Sequence, residues 1–260
     1  MSRRAPAFPP ARQRGVTLVE LMVAMLIGLM LVLMVTSYTL SSRRSYQTSV
    51  ANEDVQDARR FALSVVQQQV WLSGYSDRWE DLSLLFPGFT PAEDNQMPSF
   101  AAGQLVAADE DGEIWVRYRA AGLSGQPLTH CDGTPFPSAD GSDADSIAIA
   151  RLYLDDHTLR CRVSFSAGER RRSLPLLNDV EAMRWEYLDD SNTFQPREHA
   201  NWTTVRAVRL ALILASAEST GERYVQSFAW GGKTVSFEDG RARTRLETTI
   251  ALRNLPETVR

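Results

Sequence analysis

The sequence predicts an α+β fold, with one long N-terminal helix packed on a mainly antiparallel β-sheet domain. Three observations point there. Residues 21–42 form an apolar run without a charge. Residues 45–73 contain neither proline nor glycine and repeat apolar positions every three to four residues, the period of a helix face. From Glu113 onward, short segments alternate apolar and polar side chains between turn residues, the period of a half-buried strand.

Residues 1–15 read as a leader. They carry Arg3, Arg4, Arg12 and Arg14 and no acid, and Pro6, Pro9 and Pro10 keep the segment out of a helix. Leu21 to Leu40 would span roughly 30 Å as a helix, the thickness of a bilayer core. Arginines lie on both sides, four before and Arg43 and Arg44 after. Their excess before the helix favours an N-terminus in the cytoplasm and the large domain outside. A conventional signal peptide needs small residues for cleavage after its apolar region, and "VTSYTLSSRRSY" offers a weak site. The more telling junction is Gly15–Val16, before the apolar run. Gly15 has no side chain, so a peptidase can approach the backbone closely, and a cut there leaves the whole helix on the mature chain. Glu20 stands at the lip of this helix. A carboxylate costs about 2.5–3.5 kcal/mol at the centre of a membrane helix and less near an end.

Residues 16–42 are expected to form the transmembrane segment and residues 43–74 its amphipathic continuation. In the latter, Val55, Ala58, Ala62, Val65 or Val66, and Gln69 or Val70 make one stripe, and Gly74 is the stop. Residues 75–260 form the β-rich domain. Its first part, 77–112, reads as loop with little regular structure. Strands are expected at 113–119, where Ile114, Val116 and Tyr118 alternate with Trp115, Arg117 and Arg119. Others are expected at 146–154, 158–165, 183–188, 203–216 and 244–254. Gly231-Gly232 reads as a hairpin turn between "YVQSFAW" and "KTVSF".

"RGVTLVEL", from Arg14 to Leu21, resembles the class III signal of type IV pilins and type II secretion pseudopilins. The resemblance implies that a prepilin peptidase cuts between Gly15 and Val16, N-methylates Val16 and leaves Glu20 as the fifth mature residue. The family usually has phenylalanine where this chain has Val16. Cleavage would create a cationic amine at Val16. In a filament of staggered subunits, that amine can lie beside Glu20 of a neighbour, where weak screening strengthens their attraction. The alternative is a glutamate that favours the start of its own helix.

The C-terminal half narrows the resemblance. "LLNDVEAMRWEYLDD" (176–190), "VRAVRLALIL" (205–214) and "TTIALRN" (248–254) are similar to stretches of the PilW family of minor pilins, as is "RRFALSVVQQQVWLSGY" (59–75). The resemblance implies a structural minor pilin that helps initiate or cap a type IV pilus. It would be inserted in the inner membrane with a periplasmic domain before entering the pilus, at its tip. Its partners would be prepilin peptidase, other minor pilins, the major pilin and the inner-membrane assembly platform. The alternatives are a minor pseudopilin of type II secretion and a signal-anchored periplasmic enzyme or binding domain.

The rest of the sequence offers little chemistry. Net charge is −4, and without the leader's four arginines the body is more acidic still, which leaves no footprint for nucleic acid. Cys131 and Cys161 read as one disulfide of an exported domain, worth on the order of 3–4 kcal/mol in the chain-entropy reading, with two buried thiols as the alternative. His130, His157 and His199 are too scattered to suggest a closed zinc site. Asp140, Asp143 and Asp145 could face a calcium ion, but they lack the EF-hand order, and a solvated turn is favoured. "ERRRS" (169–173) could touch anionic lipid or a partner, or form a charged hairpin tip. With no P-loop or nucleophile elbow, the expectation is a non-enzyme without catalytic residues or cofactor.

Overall fold

The computed structural model describes residues 15–76, 78, 80–91, 97–110, 112–119, 129–135, 146–165 and 173–255. The chain divides into two compact units, Met1–Gln47 and Thr48–Arg260. Helix α1 (Leu18–Leu72) begins in the first and continues in the second.

In the first unit every described residue is exposed. The uncharged stretch is long and apolar enough to cross a membrane. Its few hydroxyls are satisfied within the helix: Thr36 donates to the Val32 carbonyl and Thr39 to that of Val35, both at 2.8 Å.

In the second unit, α1 buries Ala51, Val55, Ala62, Val66, Gln69 and Val70, the stripe expected from the spacing, while Ala58 is half-buried. The helix ends at Gly74, where φ is +72° and an added Cβ would lie 2.6 Å from Leu105, so both conformation and space call for glycine. Helix ends leave carbonyls unsatisfied. Here Asn254 Nδ2 donates to the carbonyls of Trp71 and Ser73, each at 2.9 Å, while the Arg253 guanidinium sits over the Trp71 ring. The closing "RN" of the chain is therefore a cap supplied from the far end of the sequence.

Nine strands follow the helix: β1 (Val106–Ala108), β2 (Ile114–Arg119), β3 (Ile147–Asp155), β4 (Thr158–Phe165), β5 (Leu174–Leu177), β6 (Val180–Leu188), β7 (Phe194–Gln195), β8 (Ala207–Trp230) and β9 (Lys233–Ala251). They form two antiparallel sheets, ordered β1-β2-β3-β4-β5 and β7-β6-β8-β9. One apolar core joins Ala62, Val66 and Val70 of the helix to Val116 and Leu152 of the first sheet and to Leu210, Leu212 and Leu246 of the second.

Three expectations need revision. Residues 77–112 contain regular structure: the short helix α2 (Leu82–Leu85), strand β1 and an isolated bridge between Phe89 and Phe100. Strand β2 does not alternate between core and solvent, because all six residues are buried. This loop region covers its second face, and Arg117 binds it there. The Arg117 guanidinium donates to the carbonyls of Phe86, Pro87, Ala101 and Gln104 and lies 5.5 and 4.9 Å from the ring centroids of Phe86 and Phe100. Burial lowers its pKa to about 10, which leaves it protonated at neutral pH.

The third revision concerns β8, which is one strand where two were expected. Its pairing with β9 shifts between Ala215 and Ser219 and again between Ser219 and Tyr224, so residues 216–223 lie opposite only 240–242. Such an excess on one strand bends a ribbon. Gly231 at the tip comes so close to Arg184 of β6 that an added Cβ would be 2.9 Å from Nη1. The ribbon thus folds back over its own sheet, and Ile213 is buried although its neighbours Leu212 and Leu214 face the core. Ala242 at the bend packs against Ala51 and Val55 of the helix. Arg241 and Arg243 tie the bend to Asp179, Glu181 and Asp239, and the hydrogen bonds from Arg243 hold the Asp239 carboxyl down at about 2.

Cys131 and Cys161 form a disulfide with a Cα–Cα distance of 6.0 Å, linking the segment before β3 to β4. It closes a loop of sequence separation 30. The double change Cys131→Ala with Cys161→Ala is expected to lower unfolding free energy by about 3–4 kcal/mol. Denaturant titration checks this. The difference should vanish when the parent protein is measured in strong reductant.

Candidate functional site: the start of the N-terminal helix

Gly15, Val16 and Thr17 are exposed and non-helical, and the helix starts at Leu18. Thr17 organises this start: its Oγ1 accepts the Glu20 N–H at 3.3 Å, and its carbonyl accepts the Leu21 N–H at 3.1 Å. A threonine in this position satisfies a helix-start donor that otherwise has no intrahelical partner. An added Cβ on Gly15 would meet nothing within 4 Å, so the backbone at the Gly15–Val16 bond is open to an approaching enzyme. Glu20 lies in the first helical turn, where a carboxylate complements the positive end of the helix dipole. Around Glu20 every side chain from Val16 to Met34 that is large and apolar is exposed. The geometry therefore presents a cleavable junction, a single acid and a bare apolar helix, in that order.

Elsewhere, the carboxylates that could have served chemistry are neutralised by the fold. Asp109 and Glu113 both pair with Arg151, at 3.2 and 2.5 Å, and Asp109 also accepts the Trp115 indole N–H. His130 is buried and hydrogen-bonded to the Tyr118 hydroxyl at 2.8 Å. His157 is exposed and 3.3 Å from Glu181, and His199 is exposed in a turn, so the three histidines do not converge. Asp140, Asp143 and Asp145, the leader arginines and residues 169–172 of "ERRRS" lie outside the described residues. Residue-by-residue reading missed Arg117, Asn254 as a helix cap, and a cleft beside β6 described below. Only Asn254 had a signal, since it sits in the "TTIALRN" stretch of the resemblance.

Comparison with known proteins returns two family matches. Residues 148–254 match the family described as Type IV Pilus-assembly protein W, a span that runs from β3 to the capping Asn254. Residues 10–36 match the prokaryotic N-terminal methylation motif, which includes Gly15, Val16 and Glu20. No curated protein matches the chain. Among solved structures, a type IV-like pilin from Thermus thermophilus aligns with a TM-score of 0.45 and 17% identity, covering 77% of this chain and 98% of that one.

Proposed function

Because this chain is pilin-like, with a class III prepilin motif at one end and a PilW region at the other, we propose that it is a minor pilin that helps initiate or cap a type IV pilus. Residues 1–15 are removed by prepilin peptidase, and Val16 becomes the N-methylated terminus. Residues 16–42 hold the chain in the inner membrane and then in the filament, residues 43–74 dock the helix on the domain, and residues 75–260 stand in the periplasm. The partners are other minor pilins, the major pilin and the inner-membrane assembly platform.

The observation that carries this reading is the conjunction at the helix start: an open glycine junction, Glu20 one turn into the helix, and an apolar surface with nothing on it. A bare apolar helix needs lipid first and neighbouring helices afterwards. A plain membrane anchor has no use for cleavage ahead of its apolar segment.

The test of the finer role is location. Immunogold labelling of an epitope on the domain should place gold at single filament ends, and a strain lacking the chain should show fewer surface filaments. Gold spaced along the shaft would contradict an initiating or capping role.

A further inference from the structure

Strand β6 has an open edge. Its neighbour β7 pairs only with Tyr187 and Leu188, so among the described residues Met183–Glu186 have no strand on that side. The gap is a cleft of about 310 Å³, bounded by β6, by Pro196 and Arg197 beyond β7, and by Gly112 before β2. Two side chains that line it are anomalous. The Trp185 indole N–H and the Tyr187 hydroxyl are buried, and neither has a hydrogen-bond partner among the described residues. Trp185 is 5% exposed and Tyr187 fully buried, its ring set edge-on against Trp202 at 4.6 Å. Buried polar groups without partners are rare in native proteins, and each such group calls for an occupant or a reason.

We propose that this cleft receives an extended, uncharged segment of a partner pilin, added as a strand along β6. The identity of the partner rests on the filament reading above; the chemistry does not. An indole N–H can only donate, so the occupant must present acceptors, and a phenol can meet the same kind of group. The rim charges are already matched in pairs, Arg184 with Glu186 and Arg197 with Glu198, so neither a cationic nor an anionic ligand is called for. A peptide backbone is an uncharged source of regularly spaced carbonyls, and an open strand edge supplies the complementary main-chain groups. At about 3.3 Å per residue, the stretch from Met183 to Tyr187 spans enough of an incoming strand to set its register.

The decisive variant is Tyr187→Phe, which removes one oxygen and keeps the ring. If the hydroxyl waits for a partner, its loss leaves the free protein as stable as before or more so, while weakening the complex. The measurement uses the full chain in detergent micelles against an array of overlapping short peptides covering the other pilins of its cell. A restricted set of peptides should bind the parent chain, and Tyr187→Phe should weaken them about tenfold without lowering Tm. The inference is overturned by a blank array, by equal binding of the variant, or by a lower Tm in Tyr187→Phe, which would mean that water already satisfies the hydroxyl. Replacement of the peptides by a glycan that binds in a Tyr187-dependent way would overturn the choice of occupant. Co-purification of the full chain with those pilins is read in parallel. Retained co-purification with a blank array rejects the cleft and leaves the filament reading standing, whereas lost co-purification with a positive array does the reverse.

Discussion

Arg117→Met is expected to lower the unfolding free energy of the domain by about 3–5 kcal/mol, through carbonyls left buried and unpaired. The guanidinium accounts for hydrogen bonds to four separate carbonyls, those of Phe86, Pro87, Ala101 and Gln104. Removing it does remove a buried charge, which offsets part of the loss. It does not give those carbonyls any other donor, and methionine has none to offer. Arg117→Lys is the discriminating companion. It keeps the charge and loses the planar fork that reaches four acceptors between two phenyl rings, so an intermediate loss is expected. Chemical denaturation of the detergent-solubilised chain, with the disulfide intact, checks both. A loss below about 1 kcal/mol for Arg117→Met would mean that the loop over β2 holds itself.

Glu20→Gln is expected to leave abundance, membrane insertion and the folded domain unchanged while sharply reducing filament number and recovery of partner pilins. The side chain is exposed in the first turn of α1 and makes no contact with the domain. Glutamine keeps its shape and removes its charge. What is lost is the attraction to the cationic Val16 amine of a neighbouring subunit, which is strong where apolar helices exclude water. The check is a count of surface filaments, with co-purification of the other pilins, in a strain whose only copy carries the change. Parental values of both would make the charge incidental. A subunit at the extreme tip has no neighbour above it, so a capping chain retains some recovery where an initiating one does not.

The contrast between these two residues shows which parts of the protein the sequence discloses. The helix was readable because its apolar stripe recurs at a fixed period, and Gly74 ends it for a reason intrinsic to glycine. The hairpins at 156–157 and 231–232 were readable from turn residues between alternating segments. The junction at Gly15 and the acid at Glu20 belong to one short contiguous motif. Arg117 is the opposite case. Its partners are backbone carbonyls up to 31 residues away, and a carbonyl has no letter in a sequence. An arginine in an alternating segment reads as solvent-facing, so its burial was invisible. The same holds for β8, where Ser216, Ser219 and Gly221 read as a loop between strands yet form a bulged corner within one. The cleft beside β6 joins residues of three separate segments, and nothing local marks Tyr187 as lacking a partner.

The central claim is that this chain is made as a prepilin and matures by a cut ahead of its apolar helix. The most direct measurement is the intact mass and N-terminal fragmentation of the protein recovered from membranes that contain prepilin peptidase. The account predicts a chain that begins at Val16 with a methylated amine, and a chain that keeps residues 1–15 when the peptidase is absent. A mature chain beginning at Met1 in the presence of the peptidase, or one cut after the apolar run near Ser37, would contradict it.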